Sequence, residues 1–256
     1  MKAEFFVFFD MKFKIAIVDS RIGYDAERAL MLRGYRVLAL PPFSRLSEAV
    51  ASHPDMLIHR IGKEYISYAD YCEEASYVFS DLSLWLRGDG VRFTFSADEV
   101  APTYPHDVGL NALRMGTRLF CRKSSASELL LKIAIAHGLD IVDVKQGYPA
   151  CTVLKLSDSV AVTADRGMAK VLEAHGIRVT LIEQGDISLP PHEYGFIGGA
   201  GEVDGDTLYL FGDHLTHRDG KRIVEAAEAE GLRVVSLCPG PLRDLGGIIF
   251  AEGDIN

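Results

Sequence analysis

The sequence predicts an α/β fold: a five-bladed α/β propeller of strand–strand–helix–strand (ββαβ) units with pseudo-fivefold symmetry, closed by pairing of the N- and C-terminal strands. The first observation is an internal repeat, in which a glycine after each helix-like stretch is followed by an apolar, a polar and a second apolar residue. It occurs at Gly34-Tyr35-Arg36-Val37, Gly90-Val91-Arg92-Phe93, Gly138-Leu139-Asp140-Ile141, Gly176-Ile177-Arg178-Val179 and Gly231-Leu232-Arg233-Val234. Successive glycines lie about 56, 48, 38 and 55 residues apart, and about 59 residues separate the last from the first through the termini. The second observation is that two short strand-like runs precede each helix after the first.

The first unit is split between the two ends of the chain. It has a strand from Lys14 to Val18, a helix from about Asp25 to Arg33 and a strand from Tyr35 to Leu40, but it lacks a leading strand. We expect the run 247–251 to supply that strand, because pairing beside the first strand removes an exposed sheet edge. Residues 1–10 are expected to be an added edge strand or a leader before a start at Met11, and residues 11–256 a single domain.

The second and third units follow the common order. In the second unit, strands are expected at Met56 to Arg60, at Glu64 to Tyr68 and, after a helix ending near Arg87, at Val91 to Phe95. In the third unit they are expected at Val108 to Leu113, at Arg118 to Arg122 and, after a helix ending at Gly138, at Ile141 to Val144. Ser125 and Glu128 have the spacing of a capping box and predict where the third unit's helix begins.

The fourth unit shows the pattern most clearly. Strands are expected at Thr152 to Leu156 and Val160 to Thr163, followed by a helix that ends at Gly176 and a strand from Ile177 to Ile182. The fifth unit repeats this order with Gly195 to Val203, Thr207 to Phe211, a helix from about Arg218 to Glu230, and Leu232 to Leu237. A doubly wound parallel sheet also alternates strands with helices. It places one strand before each helix, and its phosphate-binding glycine pattern is absent here.

Composition limits the classes of function. With 48% hydrophobic and 25% charged residues the chain is expected to be globular and not disordered. The net charge of −9 argues against a nonspecific nucleic-acid binder, and no apolar run approaches the roughly 20 residues of a membrane-spanning helix. The four cysteines contain no Cys-x-x-Cys pair, so the sequence indicates neither a disulfide framework nor a zinc ribbon, and a cytoplasmic location is expected.

Several motifs together resemble a known family. They are Cys151-Thr152, Thr163-Ala164-Asp165-Arg166-Gly167, Gly195-Phe196-Ile197-Gly198-Gly199-Ala200, Phe211-Gly212-Asp213 and Asp244-Leu245-Gly246-Gly247. With the five ββαβ units, the chain resembles the pentein fold of guanidino-group-modifying enzymes, which includes arginine and agmatine deiminases, dimethylarginine hydrolases and amidinotransferases. It is most similar to an uncharacterised bacterial branch of pentein-like proteins. The resemblance implies a central small-molecule pocket near the symmetry axis.

The resemblance also shows where the usual catalytic residues would lie. In catalytic penteins a nucleophilic cysteine follows the glycine-rich turn before the last strand, and here Ile248, Ile249 and Phe250 occupy that stretch. The family's general-base histidine opens the first strand of the fourth unit, where this chain has the stretch 149–154 without a histidine. Ordinary guanidine deiminase or hydrolase activity is therefore not expected.

Polar residues at the strand ends nearest the axis are the candidate ligand contacts. These residues are Asp19, Arg21, Asn111, Arg114, Asp165, Arg166 and Asp244. Such a set of acids, arginines and an amide suits a zwitterionic guanidino or amino compound. Five of them also have a structural explanation: a turn ion pair for Asp19 with Arg21, a helix N-cap for Asp165, and solvated strand positions for Asn111 and Arg114.

Cys151 is the candidate catalytic residue. A thiol at the mouth of the pore, close to Lys145, Tyr148 or Arg166, would be an alternative nucleophile. A lone cysteine is also a common buried hydrophobic residue, so that alternative stays open.

Three weaker signals remain. The glycine-rich stretch 195–201 indicates crowding near the axis or contact with a ligand. His214 and His217 lie between acids in a loop that precedes a helix, and His192 with Glu193 forms either an acid–base pair or part of a surface loop. No metal or cofactor is predicted.

Three functional hypotheses follow from the sequence. The first is a pentein-like protein with a central small-molecule pocket that either binds without catalysis or uses residues other than the usual pair. The second is a hydrolase or transferase that acts on a guanidino or amino compound with Cys151 as nucleophile. The third is a noncatalytic structural or interaction protein. None of them involves nucleic acid or a membrane.

Overall fold

The computed structural model describes residues 11–87 and 90–255. The predicted extension at residues 1–10 lies outside this range. Within it, strands and helices form a mixed α/β fold of five three-stranded sheets and one two-stranded sheet. No helix in the described part of the chain has the length and apolar character that crossing a membrane requires.

The first sheet is built from both ends of the chain. Its elements near the N-terminus are β1 (Met11–Asp19), α1 (Tyr24–Met31) and β2 (Tyr35–Leu40). β1 and β2 are parallel, with Lys14 opposite Tyr35. The β2 bounds agree with the prediction, and β1 is longer at both ends than the predicted Lys14 to Val18.

The second and third units have the same strand order. The second consists of α2 (Pro54–Leu57), β3 (Ile58–Ile61), β4 (Glu64–Tyr68), α3 (Ala69–Glu74), α4 (Ser76–Trp85) and β5 (Arg92–Ser96). The third consists of β6 (Leu113–Met115), β7 (Arg118–Cys121), α5 (Glu128–Ala136) and β8 (Asp140–Asp143). In each sheet the middle strand pairs antiparallel with the strand before it and parallel with the strand after the helix.

The fourth and fifth units repeat this topology. The fourth consists of α6 (Pro149–Thr152), β9 (Val153–Ser157), β10 (Val160–Thr163), α7 (Arg166–Ala174) and β11 (Arg178–Leu181). A short strand, β12 (Ile187–Ser188), then precedes the fifth unit, which consists of a 3-10 turn (Gly198–Ala200), β13 (Gly201–Asp204), β14 (Thr207–Leu210), α8 (Gly220–Ala229) and β15 (Arg233–Ser236). The pairing is again antiparallel and then parallel.

The chain ends with β16 (Leu242–Arg243) and β17 (Ile249–Ile255). β16 pairs with β12, and β17 pairs antiparallel with β1, with Ile17 opposite Ile249. β17 therefore supplies the leading strand that the first unit lacked. In the described residues the strands form six separate sheets, five of three strands and one of two, and no sheet closes on itself.

The structure corrects three local predictions. The stretch 195–200 is a loop and a 3-10 turn instead of a strand, since strand pairing in the fifth unit starts at Gly201. The leading strand of the third unit starts at Leu113 and not at Val108. Ser127 caps α5 by accepting a hydrogen bond from the Leu130 amide, so the predicted Ser125 capping box does not form.

The glycine repeat marks the ends of helices, as predicted. Gly34, Gly90, Gly138, Gly176 and Gly231 all have positive φ values, between +67° and +87°. At Gly138, Gly176 and Gly231, two residues after the last helical residue, this left-handed backbone ends the helix and turns the chain into the next strand, and glycine adopts it without steric cost. Buried apolar side chains between the sheets and helices then form four clusters in the described chain, the largest around Ile17, Ile66 and Leu119.

Candidate functional site

One cavity borders the leading strand of all five three-stranded sheets. It has a volume of about 450 Å³ and is lined by residues of β3, β6, β9, β13 and β17. Leading strands that come from different parts of the chain thus present side chains to a common space. This is the place where the five units jointly contribute to one site.

The floor of the cavity comes from equivalent turns of the repeat. Asp55, Ala150, Gly198 and Gly246 all line the cavity, and each lies three residues before the first residue of its leading strand. Two of these turns are the short helices α2 and α6, which both begin with proline, a residue suited to the first helical turn. Asp55 is the one ionisable side chain among the four positions.

The cavity wall carries charges of both signs. Arg60, Arg114 and Lys155 supply cations, and Glu202 and Asp204 supply carboxyl groups. Burial raises the pKa of Glu202 to about 7, so this carboxyl binds a proton near neutral pH. The lining therefore presents both cations and carboxyl groups to a small molecule, and two of them, Lys155 and Asp204, are already paired with Asp158 and Lys14.

A buried polar cluster lies beneath the floor. Cys151 donates from Sγ to Oδ2 of Asp55 at 2.8 Å, and Nδ1 of His53 lies 4.0 Å from Oδ1 of Asp55. The side chain of His53 is fully buried, and that of Asp55 is 14% exposed. Asp55 thus connects the cavity to His53 and Cys151, which do not line it.

Asn111 fixes the position of the thiol. Its Nδ2 donates to Cys151 Sγ at 3.1 Å, and its Oδ1 accepts from the Ala150 amide at 2.9 Å. The Asn111 side chain is buried. Since the amide group spans the α6 turn, it holds the loop that carries Cys151 against the α2 turn that carries Asp55.

Burial sets the protonation of this cluster. It raises the pKa of Asp55 to about 6, although hydrogen bonds from Cys151 and Asn111 act in the opposite direction. It also raises the pKa of the Cys151 thiol well above its usual value, and the nearby carboxyl groups of Asp55 and Asp244 add to this rise. Cys151 is therefore a protonated thiol at neutral pH.

Two further buried carboxyl groups face the His53 ring. Asp244 Oδ1 lies 3.8 Å from Nδ1, and Asp19 Oδ2 lies 3.8 Å from Nε2. Burial lowers the pKa of His53, whereas the negative charges of Asp244 and Asp19 oppose that change. Burial also raises the pKa of Asp244 to about 6.

Hydrogen-bond donors outside the cluster hold the carboxyl groups of Asp19 and Asp244 in position. Asp19 accepts hydrogen bonds from the Arg21 amide, Nε and Nη2 at 2.7, 3.0 and 2.6 Å. Asp244 accepts from the amides of Phe196 and Gly246 at 2.8 and 3.2 Å. Backbone donors and a charged guanidinium therefore orient the carboxyl groups that surround His53.

The glycines of the motifs allow this close packing. A Cβ at Gly199 would overlap the Asp244 carboxyl group, and a Cβ at Gly246 would overlap the His53 side chain. A Cβ at Gly198 would overlap the Ala150 carbonyl oxygen. Of the two explanations offered for the glycine-rich stretch, crowding accounts for these positions.

The structure brings together four of the eight predicted site residues. Asp19, Asn111, Cys151 and Asp244 lie in or beside the buried cluster around His53, whereas Arg114 lies on the cavity wall. Arg21 is partly exposed and holds Asp19 in the turn ion pair that was its alternative explanation.

Asp165 and Arg166 lie apart from this site. Asp165 caps α7 by accepting from the amides of Gly167 and Met168, as its alternative explanation predicted, and it also accepts from Gln146. Both residues line a second cavity of about 530 Å³ beside the turn 183–187. They do not contribute to the cavity that the leading strands share.

Sequence reasoning missed His53, Asp55 and Glu202. The available signal was the repeat itself, because His53-Pro54-Asp55 precedes β3 as Tyr148-Pro149-Ala150 precedes β9. The turn that carries His53 and Asp55 in the second unit is thus equivalent to the turn before Cys151 in the fourth. Glu202 lies in β13, next to the glycine-rich stretch that was interpreted as strand.

A family comparison places the chain. The sequence model of DUF6873, a family of unknown function, matches residues 17–249. The chain belongs to this family. The matched range includes every residue of the buried cluster, while no curated protein sequence matches the DUF6873 chain significantly.

Solved structures show what fold this DUF6873 member has. It is similar to the amidinotransferase SxtG from Microseira wollei in the saxitoxin biosynthetic pathway, with 14% identity, a TM-score of 0.54 and coverage of 89% of both chains. It is also similar to DDAH from Pseudomonas aeruginosa in complex with citrulline, with 13% identity, a TM-score of 0.55 and coverage of 89% and 92%. A third match is the N-terminal domain of ArgZ, a cyanobacterial arginine dihydrolase, with 16% identity, a TM-score of 0.51 and coverage of 88% and 90%. The chain therefore has the fold of guanidino-modifying enzymes, as the pentein resemblance predicted.

Proposed function

We propose that this chain is a pentein-like protein that binds a small zwitterionic guanidino or amino compound in the central cavity, without the cysteine–histidine chemistry of guanidine deiminases and hydrolases. The observation that carries this proposal is the shared cavity with charges of both signs. In this proposal the five sheets surround one axis as a closed five-bladed propeller. The leading strands of all five line the cavity, and β17 pairs with β1, which supports that arrangement.

The size and charges of the cavity suit an amino-acid-sized ligand. Its volume of about 450 Å³ lies in the usual range for small-molecule sites, roughly 300 to 1,000 Å³. Arg114 and Lys155 would bind a carboxylate, and Asp55 and Glu202 would accept hydrogen bonds from an amino or guanidino group. The fold neighbours act on or bind compounds of this class, which supports the choice of ligand.

The local structure favours binding over standard pentein catalysis. Ile248, Ile249 and Phe250 line the cavity where the resemblance places a nucleophilic cysteine. The α6 turn, where the resemblance places a histidine, presents Ala150 to the cavity. We therefore place the chain in a branch that retains the pocket and lacks the usual catalytic pair. We also propose a cytoplasmic location, since the cysteines of the described residues are free thiols, as is usual for proteins of a reducing compartment.

One observation favours a second candidate function. Sγ of Cys151 lies 2.8 Å from Asp55 Oδ2, so Asp55 is placed to accept the thiol proton. The sulfur would then attack a guanidinium carbon, the carbon–nitrogen bond to one amine would break, and that amine would leave with the proton from Asp55, which gives the covalent thiouronium adduct that a hydrolase or transferase requires. This candidate needs the α6 turn to move, since the thiol lies behind Ala150 and Asp55 and burial keeps it protonated.

Ligand-induced stabilisation tests the proposal. Arginine, agmatine, methylated arginines and common amino acids are screened by thermal shift, and a ligand at 100 times its Kd stabilises the protein by about 2.7 kcal/mol, or roughly 5 to 10 °C in Tm for a chain of this size. Arg114→Ala should abolish the shift. Arg166→Ala is the matched control, because this exposed arginine lines the second cavity.

The outcomes separate the three hypotheses. A ligand-induced rise in Tm that is lost in Arg114→Ala and kept in Arg166→Ala supports binding in the central cavity. Ligand turnover that Cys151→Ala abolishes supports the second candidate. If no compound in the panel changes Tm, the zwitterion-binding proposal is wrong and the structural or interaction hypothesis is favoured.

A further inference from the structure

A set of metal-binding donor atoms lies under the central cavity. His53, Asp55 and Cys151 each offer one ligand atom, and these atoms all lie within 4.8 Å of one another. His53 precedes α2, Asp55 lies in α2 and Cys151 lies in α6, so two equivalent turns of the repeat supply the set. In the described part of the chain, these residues form a nitrogen, oxygen and sulfur donor set.

The cluster has unpartnered polar atoms. Neither ring nitrogen of His53 has a hydrogen-bond partner among the described residues, and the same holds for Asp55 Oδ1. Yet the His53 side chain is completely buried. A buried polar atom without a partner costs about 1–3 kcal/mol, and native structures commonly explain such atoms by a bound ion or water.

We propose that His53 Nδ1, the Asp55 carboxylate and Cys151 Sγ bind one divalent transition-metal ion of the Zn²⁺ class. Imidazole, carboxylate and thiolate are the ligands that zinc takes in proteins, whereas Mg²⁺ and Ca²⁺ prefer oxygen donors alone. Bonds of about 2.0–2.3 Å in a tetrahedron place ligand atoms roughly 3.3–3.8 Å apart. The 4.0 Å between Nδ1 and Oδ1 of Asp55 is close to that range.

A carboxylate lies near the second ring nitrogen of His53, although beyond hydrogen-bond distance. A metal-bound histidine usually donates its other ring N–H to a carboxylate, a backbone carbonyl or water, which fixes the ring orientation. Asp19 Oδ2 lies 3.8 Å from Nε2 on the side away from Asp55, and Arg21 holds Asp19 in place. The buried histidine thus has the metal ligands at Nδ1 and a carboxylate at Nε2.

The charges also favour a cation. Asp19 and Asp244 are buried around His53, and Asp55 is almost buried, while Arg21 is the cation paired with Asp19. A divalent ion would compensate the remaining negative charge. On binding, the thiol loses its proton to solvent and the thiolate coordinates the ion.

Three protein ligands leave a fourth coordination position. Asp55 lines the cavity, so the ion would lie at the cavity floor with this position available to water or to an atom of a bound molecule. This inference goes beyond the proposed binding function and does not depend on the identity of an organic ligand.

Cobalt titration tests the site. Full-length protein treated with EDTA is titrated with Co²⁺ alone, and we expect a 1:1 complex with the d–d bands of a four-coordinate ion and a thiolate-to-cobalt charge-transfer band in the near ultraviolet. Zn²⁺ should displace it. Cys151→Ser, which keeps a donor toward Asp55, should remove the charge-transfer band and weaken Zn²⁺ binding by more than about 100-fold, the upper range for an outer-shell change.

Matched variants control for other sites. Cys238→Ser removes a different free thiol, and His214→Gln removes a histidine of the loop before α8, so both should retain the 1:1 complex and its band. Failure of wild-type protein to form the thiolate band, or a band that persists in Cys151→Ser, overturns the assignment. If Cys151→Ser does not fold, the wild-type spectrum and Asp55→Asn, which should weaken binding comparably, decide the question.

The two proposals fail separately. The cobalt titration contains no organic ligand, and the thermal-shift panel is run both in EDTA and with Zn²⁺. A ligand shift without metal binding removes the metal site and leaves the pocket. Metal binding without any ligand-induced Tm shift supports the metal site and removes the proposal of a zwitterion-binding pocket.

Discussion

Two glycines with the same backbone conformation allow a direct test of packing at the site. Gly246 has a φ of +68° and Gly231 a φ of +76°, so alanine at either position adopts a left-handed backbone. A Cβ at Gly231 would have no atom within 4 Å, whereas at Gly246 it would overlap His53 Cβ and lie 2.8 Å from Asp55 Oδ1. The two substitutions therefore share the backbone cost and differ in the steric cost.

The expected magnitudes follow from these contacts. The left-handed conformation costs alanine about 1–2 kcal/mol at both positions. Overpacking adds about 1–3 kcal/mol for Gly246→Ala alone, since His53 is fully buried and cannot move into solvent. We expect Gly231→Ala to lower the free energy of unfolding by about 1–2 kcal/mol and Gly246→Ala by about 2–5 kcal/mol.

Urea denaturation measures the difference. The chain has a single tryptophan, Trp85, which packs edge-on against Phe13 of β1 and reports on unfolding by fluorescence. Midpoints are compared at unchanged m-value, and thermal scans should show roughly 2–4 °C per kcal/mol for a chain of this length. Equal destabilisation by the two variants would show that the turn around Gly246 is loose, and the described packing of His53 would then be wrong.

Three other predictions concern single groups. Burial raises the pKa of Glu202 from 4.5 to about 7, so the folded protein holds a proton that the unfolded chain has already lost, and the stabilising contribution of this group falls as pH rises from about 4.5 to 7. In urea melts at several pH values, the free energy of unfolding of Glu202→Gln should rise relative to wild type across that window by less than about 3 kcal/mol, because the side chain is only half-buried. A difference between the two proteins that does not change with pH would contradict this prediction. Iodoacetamide at pH 7 followed by peptide mass mapping should modify the partly exposed Cys72 and leave Cys151 unmodified in folded protein, and rapid Cys151 alkylation would favour the nucleophile hypothesis. Asp165→Ala should cost about 1 kcal/mol by removing the N-cap of α7, measured by thermal melting, and an unchanged Tm would show that this cap does not support the helix.

The repeat made much of the architecture predictable. Gly176 and Gly231 follow amphipathic helices and precede short strands, and their left-handed backbone is a local property that the adjacent residues reveal. The missing leading strand of the first unit was equally informative, because it predicted that a strand from the other end of the chain pairs with β1, as β17 does. Local patterns therefore predicted the order of strands and helices, and most bounds to within two residues.

Predictions failed where tertiary packing determines the local conformation. Gly198 and Gly199 resembled part of a strand, but their role is to let the Ala150 carbonyl and the Asp244 carboxyl group come close. No local pattern distinguishes a glycine that allows such contact from one that weakens a strand.

The candidate site was harder to predict than the fold. His53 and Asp55 lie at the start of a four-residue helix without periodicity, and Asp55 gains its importance from contact with Cys151, 96 residues later. The charge of Glu202 depends on burial in a cavity that exists only after all five sheets assemble. Such properties depend on contacts that the linear order of residues does not show.

The pairing of β1 with β17 also has a consequence for folding kinetics. Lys14 is opposite Glu252, roughly 240 residues away, whereas the other four three-stranded sheets each form from a short stretch of chain. Closing a loop of this length costs roughly 1.5 kcal/mol more than closing a loop of about 40 residues, so this pairing is expected to form last. Nascent chains would then contain folded sheets long before they contain a cavity, and the capacity to bind a ligand would arise only after the C-terminal strand has been synthesised and has paired with the first.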